Sequence, residues 1–264
     1  MSQVDRPNRR IVVILGPGGA SRYLLDRLRP LLDADRDIEL QGVFLQEAGV
    51  QHAAELPFVK ELCRVTFSVR EFNSKQFQRA LALRVRTAHQ ALSVLALRVG
   101  VPLTFRNATG SAVKLLREET SDADFTVFEP ARPPVAAALA RRSGAPRHRI
   151  TAVICDTATG RAVLGTALKL AEGNRALVNV LLFPASGQHT AELRTLYREF
   201  LQGEPGNARL VEGRDLNQLA LSSRELFSSM LVVPATEELT LGSVLQFLRA
   251  QVRCPVCLVR NLEQ

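Results

Sequence analysis

Four places in the chain hold residue types that could do chemistry. Gly242-Ser243 precedes a segment in which Leu241, Val244, Leu245 and Leu248 step at helical spacing. Backbone N–H groups and a hydroxyl at a helix start can receive an anion; the plainer reading is a cap after a tight turn. Gly16-Pro17-Gly18-Gly19-Ala20-Ser21 joins an apolar run to a helical pattern. It is neither Gly-x-Gly-x-x-Gly nor a phosphate loop with its Lys; anion binding is one reading of it, and the plainer one is a tight turn with Ser21 as cap. Cys254-Pro255-Val256-Cys257 has thiol–disulfide spacing, but redox pairs of this kind sit at a helix start that lowers the thiol pKa. This pair leads into an apolar run, which argues against redox chemistry. The His residues at 52, 89, 148 and 189 have no metal-ligand spacing. There is neither a Ser nucleophile elbow nor a base–nucleophile pair, so no catalytic residue, no metal and no enzyme activity is expected.

The composition is that of a globular protein. The chain has 264 residues, of which 46% are hydrophobic, which is enough for two domains of ordinary size. The most apolar long stretch, Ala80 to Val101, is interrupted by Arg84, Arg86, His89 and Arg98, so no membrane segment is expected. A polar start and four cysteines without a disulfide-like framework read as cytoplasmic. In that setting the sequon Asn107-Ala108-Thr109 carries no meaning. The net charge is +8, almost all of it from Arg, with clusters at Arg6–Arg10 and Arg141–Arg149. No aromatics interleave with those clusters, which argues against a nucleic-acid partner.

The elements that must position these residues come in two series. Ile11-Val12-Val13-Ile14-Leu15-Gly16 and Thr151-Ala152-Val153-Ile154-Cys155-Asp156 read as buried parallel strands. Helical patterns follow at Ser21–Leu32 and Thr159–Leu170, then strands at Ile38–Leu45 and Ala176–Phe183. Phe105–Gly110 precedes a helix and the strand Phe125–Ala131; Ala208–Gly213 precedes a helix and the strand Met230–Ala235. The first series carries extra length between Glu47 and Val99. There Phe77, Leu81, Val85, Ala88, Leu92, Leu95 and Val99 mark one face of a helix of about six turns. Its polar face holds Arg79, Arg84, Arg86 and Arg98, which either face solvent or meet a partner. An ordered excursion is expected before it, at Leu56–Val59 and Phe67–Val69. A short helix at Pro134–Arg142 and a break at Gly144–Pro146 separate the series, giving domains 1–146 and 147–264. Alternation of strand and helix predicts parallel sheets with crossover helices.

This order resembles two tandem universal stress protein domains spanning nearly the whole chain, the second matching better. The resemblance implies an α/β fold of two doubly wound, Rossmann-like open parallel sheets. It also implies a possible ATP or AMP site at the carboxyl ends of the strands. In that family an Asp closes strand one; Asp156 stands there in the second repeat, Gly16 in the first. A glycine loop should follow strand four and lead to Gly-Ser at the helix start. Gly242-Ser243 matches, but Pro234-Ala235-Thr236-Glu237-Glu238-Leu239-Thr240-Leu241 holds no glycine. Its two Glu would repel phosphate, and Pro234 removes a donor. In the first repeat Pro130-Ala131-Arg132-Pro133-Pro134 likewise lacks glycine.

The expectation is a non-enzymatic stress-response or regulatory protein that acts through protein contacts, with degraded nucleotide binding and no cofactor. The alternative is an adenine-nucleotide sensor using Asp156, Gly242 and Ser243. The two repeats are expected to form an intramolecular pseudo-dimer through the strand Cys254–Arg260, which commonly joins family dimers. Homodimerisation is a further option, and the protein partner is unidentified.

Overall fold

A computed structural model describes residues 9–16, 22–34, 37–56, 58–62, 67–131, 149–184, 190–204, 206–211 and 215–260. The first half contains β1 (Arg9–Leu15), α1 (Arg22–Asp33), β2 (Ile38–Glu47), α2 (Ala48–Glu55), β3 (Lys60–Leu62) and β4 (Val69–Glu71). It continues with α3 (Ser74–Val99), β5 (Leu103–Gly110), α4 (Ala112–Asp122) and β6 (Phe125–Phe128). The second half contains β7 (Ile150–Ile154), α5 (Thr157–Leu170), β8 (Val178–Leu182), α6 (Thr190–Leu201) and β9 (Asn207–Leu210). It ends with α7 (Leu216–Glu225), β10 (Met230–Pro234), α8 (Gly242–Gln251) and β11 (Val256–Val259). The expected helix Pro134–Arg142 and the boundary at 146 lie outside the described residues.

One nine-stranded sheet runs through both halves in the order β5-β2-β1-β6-β11-β10-β7-β8-β9. Every neighbouring pair is parallel except β6–β11, where Phe128 faces Val256 and Phe125 faces Val259. The order β5-β2-β1-β6 in the first half is matched by β9-β8-β7-β10 in the second, running the other way. The two sheets expected from sequence are therefore joined edge to edge, because β11 offers one edge to β10 and the other to β6.

The inner strands β1, β6, β7, β8, β10 and β11 are mostly apolar and buried because both of their faces are covered, whereas the edge strands β5 and β9 are largely exposed. On one face α1, α3, α5 and α6 pack around Leu28, Leu92, Val163 and Leu193. On the other, α4, α7 and α8 pack around Leu116, Leu219 and Leu245. The seam read from sequence in α3 is buried at Leu81, Ala88, Leu92 and Leu95. Asn73 starts that helix by accepting the Gln76 N–H at 3.0 Å, and Gly100, at φ +75°, ends it. Gly42 on β2 explains how closely α3 approaches. A Cβ there would stand 2.5 Å from Leu92 Cδ1 and 2.6 Å from Phe105 Cδ2.

The strand expected at Ala176–Phe183 is shorter. Asn174 accepts the Ala176 N–H at 3.0 Å and holds Arg175–Leu177 in a single 3₁₀ turn before β8 begins. The excursion ahead of α3 is α2 followed by the two-stranded hairpin β3–β4, all of whose strand residues are exposed.

Candidate functional site

The carboxyl ends of β7 and β10 form a switch point. The chain leaves β7 for α5 on one face of the sheet and leaves β10 for α8 on the other. Such divergence opens a crevice where doubly wound sheets bind ligands. Asp156 stands on one side of it, two residues beyond β7, and Gly242 opens the helix on the other. The structure thus brings all three candidate residues to the same edge of the sheet.

Their local roles differ from those of a nucleotide site. Asp156 is the N-cap of α5. Its Oδ1 accepts the Thr159 N–H at 2.7 Å, and the Thr159 hydroxyl donates to both carboxylate oxygens at 3.0 Å. A carboxylate at a helix start satisfies an orphan donor and complements the helix dipole, worth about 1 kcal/mol. Gly242 is the first residue of α8, and a Cβ on it would stand 3.2 Å from Val113 Cγ1. Its lack of a side chain lets α8 lie close to α4 of the other half. Ser243 is exposed, and the residue at the cap position is Leu241, which has no side-chain acceptor.

The turn between β10 and α8 is closed on itself. The Thr240 N–H donates to the Thr236 carbonyl at 2.9 Å, and the Thr240 hydroxyl donates to the same oxygen at 2.8 Å. Leu239, only 3% exposed, joins the core under α8. A phosphate cradle presents its backbone N–H groups outward; this turn directs one of them inward and seats a leucine beneath. Glu237 and Glu238 remain exposed at its rim. In the first half the chain beyond β6 is tied down at once, since the Ala131 N–H donates to the Arg249 carbonyl at 2.8 Å. Gly16 directly follows β1, and the rest of its Gly-rich turn lies outside the described residues.

The Cys-x-x-Cys spacing dissolves in the fold. Cys254 belongs to the α4–α7–α8 core and Cys257 to the core on the opposite face of the sheet. Burial pushes both thiols up to about 12, the opposite of a reactive thiolate. Among the described residues no cluster of His, Cys, Asp and Glu could hold a metal, and no helix is long and apolar enough to cross a membrane.

Sequence reasoning missed two features. Leu239 is seated in the core beneath α8 and Val113 of α4 lies against Gly242; Val113 is distant in sequence and gave no signal. On α3 the outward face holds Leu83, Val94 and Leu97 among its Arg residues, all at least half exposed. Their steps along the helix could have disclosed them.

No family model matches the chain, and no curated protein matches it. Among solved structures, a universal stress protein from Archaeoglobus fulgidus DSM 4304 is 11% identical, covering 95% of this chain and 96% of its own, with a TM-score of 0.46. Aspartate transcarbamoylase from Trypanosoma cruzi is 15% identical, covering 99% of this chain and 74% of its own, with a TM-score of 0.26.

Proposed function

We propose that the chain is a non-enzymatic regulatory protein of universal stress protein type, acting in the cytoplasm through contacts with another protein and without tight nucleotide binding. In this reading, 1–146 and 147–264 are two repeats paired as an intramolecular pseudo-dimer across β6 and β11. The observation that carries it is the turn Thr236–Thr240, closed by its own hydrogen bonds and plugged by Leu239 where a phosphate cradle would lie.

One observation favours the adenine-nucleotide sensor instead. Asp156 and the Gly242-Ser243 helix start follow the carboxyl ends of the paired strands β7 and β10, and the first N–H groups of α8 are of the kind that receive anions. Calorimetry with ATP separates the two. The expected dissociation constant is no tighter than about millimolar, near −4 kcal/mol. Micromolar binding that disappears in Asp156→Ala would replace the contact reading with the sensor.

A further inference from the structure

The strongest unexplained surface is the outer side of α3. The helix spans 26 residues and holds Lys75, Arg79, Arg84, Arg86 and Arg98 with no Asp or Glu. Its inward seam is occupied by the sheet, so the outward face is free of the demands of folding. On that face Leu83 is 65% exposed, Val94 50% and Leu97 85%. Positions 83, 90, 94 and 97 follow one line along a helix, and Arg79 and Arg86 stand one turn to either side of Leu83. The hairpin β3–β4 adjoins the start of this helix on its seam side, where Phe72 meets Phe77 with ring centroids 5.5 Å apart. It presents Phe67, 76% exposed, and Phe58 just ahead of β3 is 90% exposed. Phe67 also holds a left-handed φ of 54°, a costly conformation for an aromatic residue. Strain of this kind tends to mark places where function overrides stability. A two-stranded hairpin with every strand residue exposed has little to stabilise it without a partner.

We infer that this face of α3 docks an acidic, apolar-faced helical segment of another protein. The inference rests on the contact reading above and supplies its surface. Charge complementarity selects the occupant. An uninterrupted cationic helix repels a second copy of itself across a two-fold axis, because like charges would meet. A lipid surface asks for a continuous apolar face. Here Arg86, Thr87 and Gln90 separate Leu83 from Val94, while the continuous apolar face points into the sheet. Isolated Leu and Val anchors among Arg residues match instead the apolar centre and charged rim of a protein interface. The matching segment would carry Leu or Ile every third or fourth residue, flanked by Glu or Asp.

The probe is a fluorescent synthetic helix with Leu along one face and Glu on both flanks, compared with a twin in which every Glu is Gln. The Glu peptide should bind at least about tenfold tighter than the Gln twin, with affinity falling as salt rises. Arg79→Glu with Arg86→Glu should abolish that binding. Leu83→Ser with Leu97→Ser should weaken it about tenfold, and the melting temperature should stay put in both variants because the side chains are exposed. Equal affinity for the two peptides, or binding indifferent to the substitutions, would overturn the inference. So would Arg-dependent sedimentation with phosphatidylserine vesicles, or Arg-dependent self-association in the ultracentrifuge, in the absence of peptide binding. Micromolar ATP affinity would instead undo the contact reading itself, so the two failures are told apart.

Discussion

Cys254 and Cys257 are fully enclosed in the sheet's two cores, and burial holds both thiols in the neutral form up to about pH 12. In the unfolded chain a thiol ionises near about pH 8.5. Below that value both states carry the proton and the thiols add no pH dependence. Above it the unfolded state releases protons that the folded state keeps, so stability falls as pH rises toward the folded value. We predict a melting temperature with no thiol contribution near neutrality and a decline above about pH 8.5. That decline should be shallower after Cys254→Ala with Cys257→Ala. An identical slope in both proteins would mean that other groups cause it. At this scale the sequence disclosed where Asp156 and Gly242-Ser243 lie but not what they do. Asp156 caps its own helix through Thr159, a local arrangement that chain spacing permits equally well in a ligand site. Gly242 answers to Val113, which belongs to the other half of the molecule, and no local pattern could reveal that contact.

The long helix α3 shows most clearly how an element divides its faces. Leu92 lies over Gly42 and is fully buried, whereas Arg86 is exposed. Leu92→Ala should cost roughly 2–5 kcal/mol, since the rigid sheet beneath cannot collapse to fill the space. Arg86→Ala should change stability by no more than about 0.5 kcal/mol. Chemical denaturation of the two variants checks the pair, and reversed magnitudes would mean the faces are wrongly assigned. The inward seam was legible because seven apolar residues repeat without interruption over several turns. The strands β1, β7 and β10 were legible for a similar reason, as unbroken apolar runs. The hairpin β3–β4 was visible only as an excursion. Its strands have three residues each, too few for alternation to register, and the Glu61–Arg70 ion pair that joins them is a contact no local pattern announces.

At the scale of the whole molecule, the two halves meet along β6 and β11, and polar contacts reinforce that line. Asp124 is 7% exposed; it accepts the Arg10 N–H at 2.7 Å and the Arg260 guanidinium at 3.1 Å. The Arg260 N–H also donates to the Asp124 carbonyl at 3.0 Å, and Arg249 pairs with Glu47 across the same divide. Asp124→Ala removes the acceptor of the part-buried Arg10 N–H, while the half-exposed Arg260 can turn to water, and should cost about 1 kcal/mol. Asp124→Asn, which keeps one acceptor, should fall between the variant and the parent. An unchanged denaturation midpoint would mean that strand pairing alone holds the halves together. The parallel order within each half followed from alternation of strand and helix, but the joining of both into one sheet did not. It depends on which edge β11 offers to β6, and four apolar residues in a row carry no such instruction. The placement of β11 also imposes a timetable on synthesis. The middle of the sheet is made last of its strands. While the second half is still being translated, β6 has β1 on one side and a bare edge on the other. Until residues 256–259 emerge, roughly ten seconds after β6 at ordinary rates of about 5–20 residues per second, the nascent chain carries an open edge able to pair with any neighbour. Ribosome-associated chaperones would be needed most in that interval, and a stall between β10 and β11 would leave the molecule at its most adhesive.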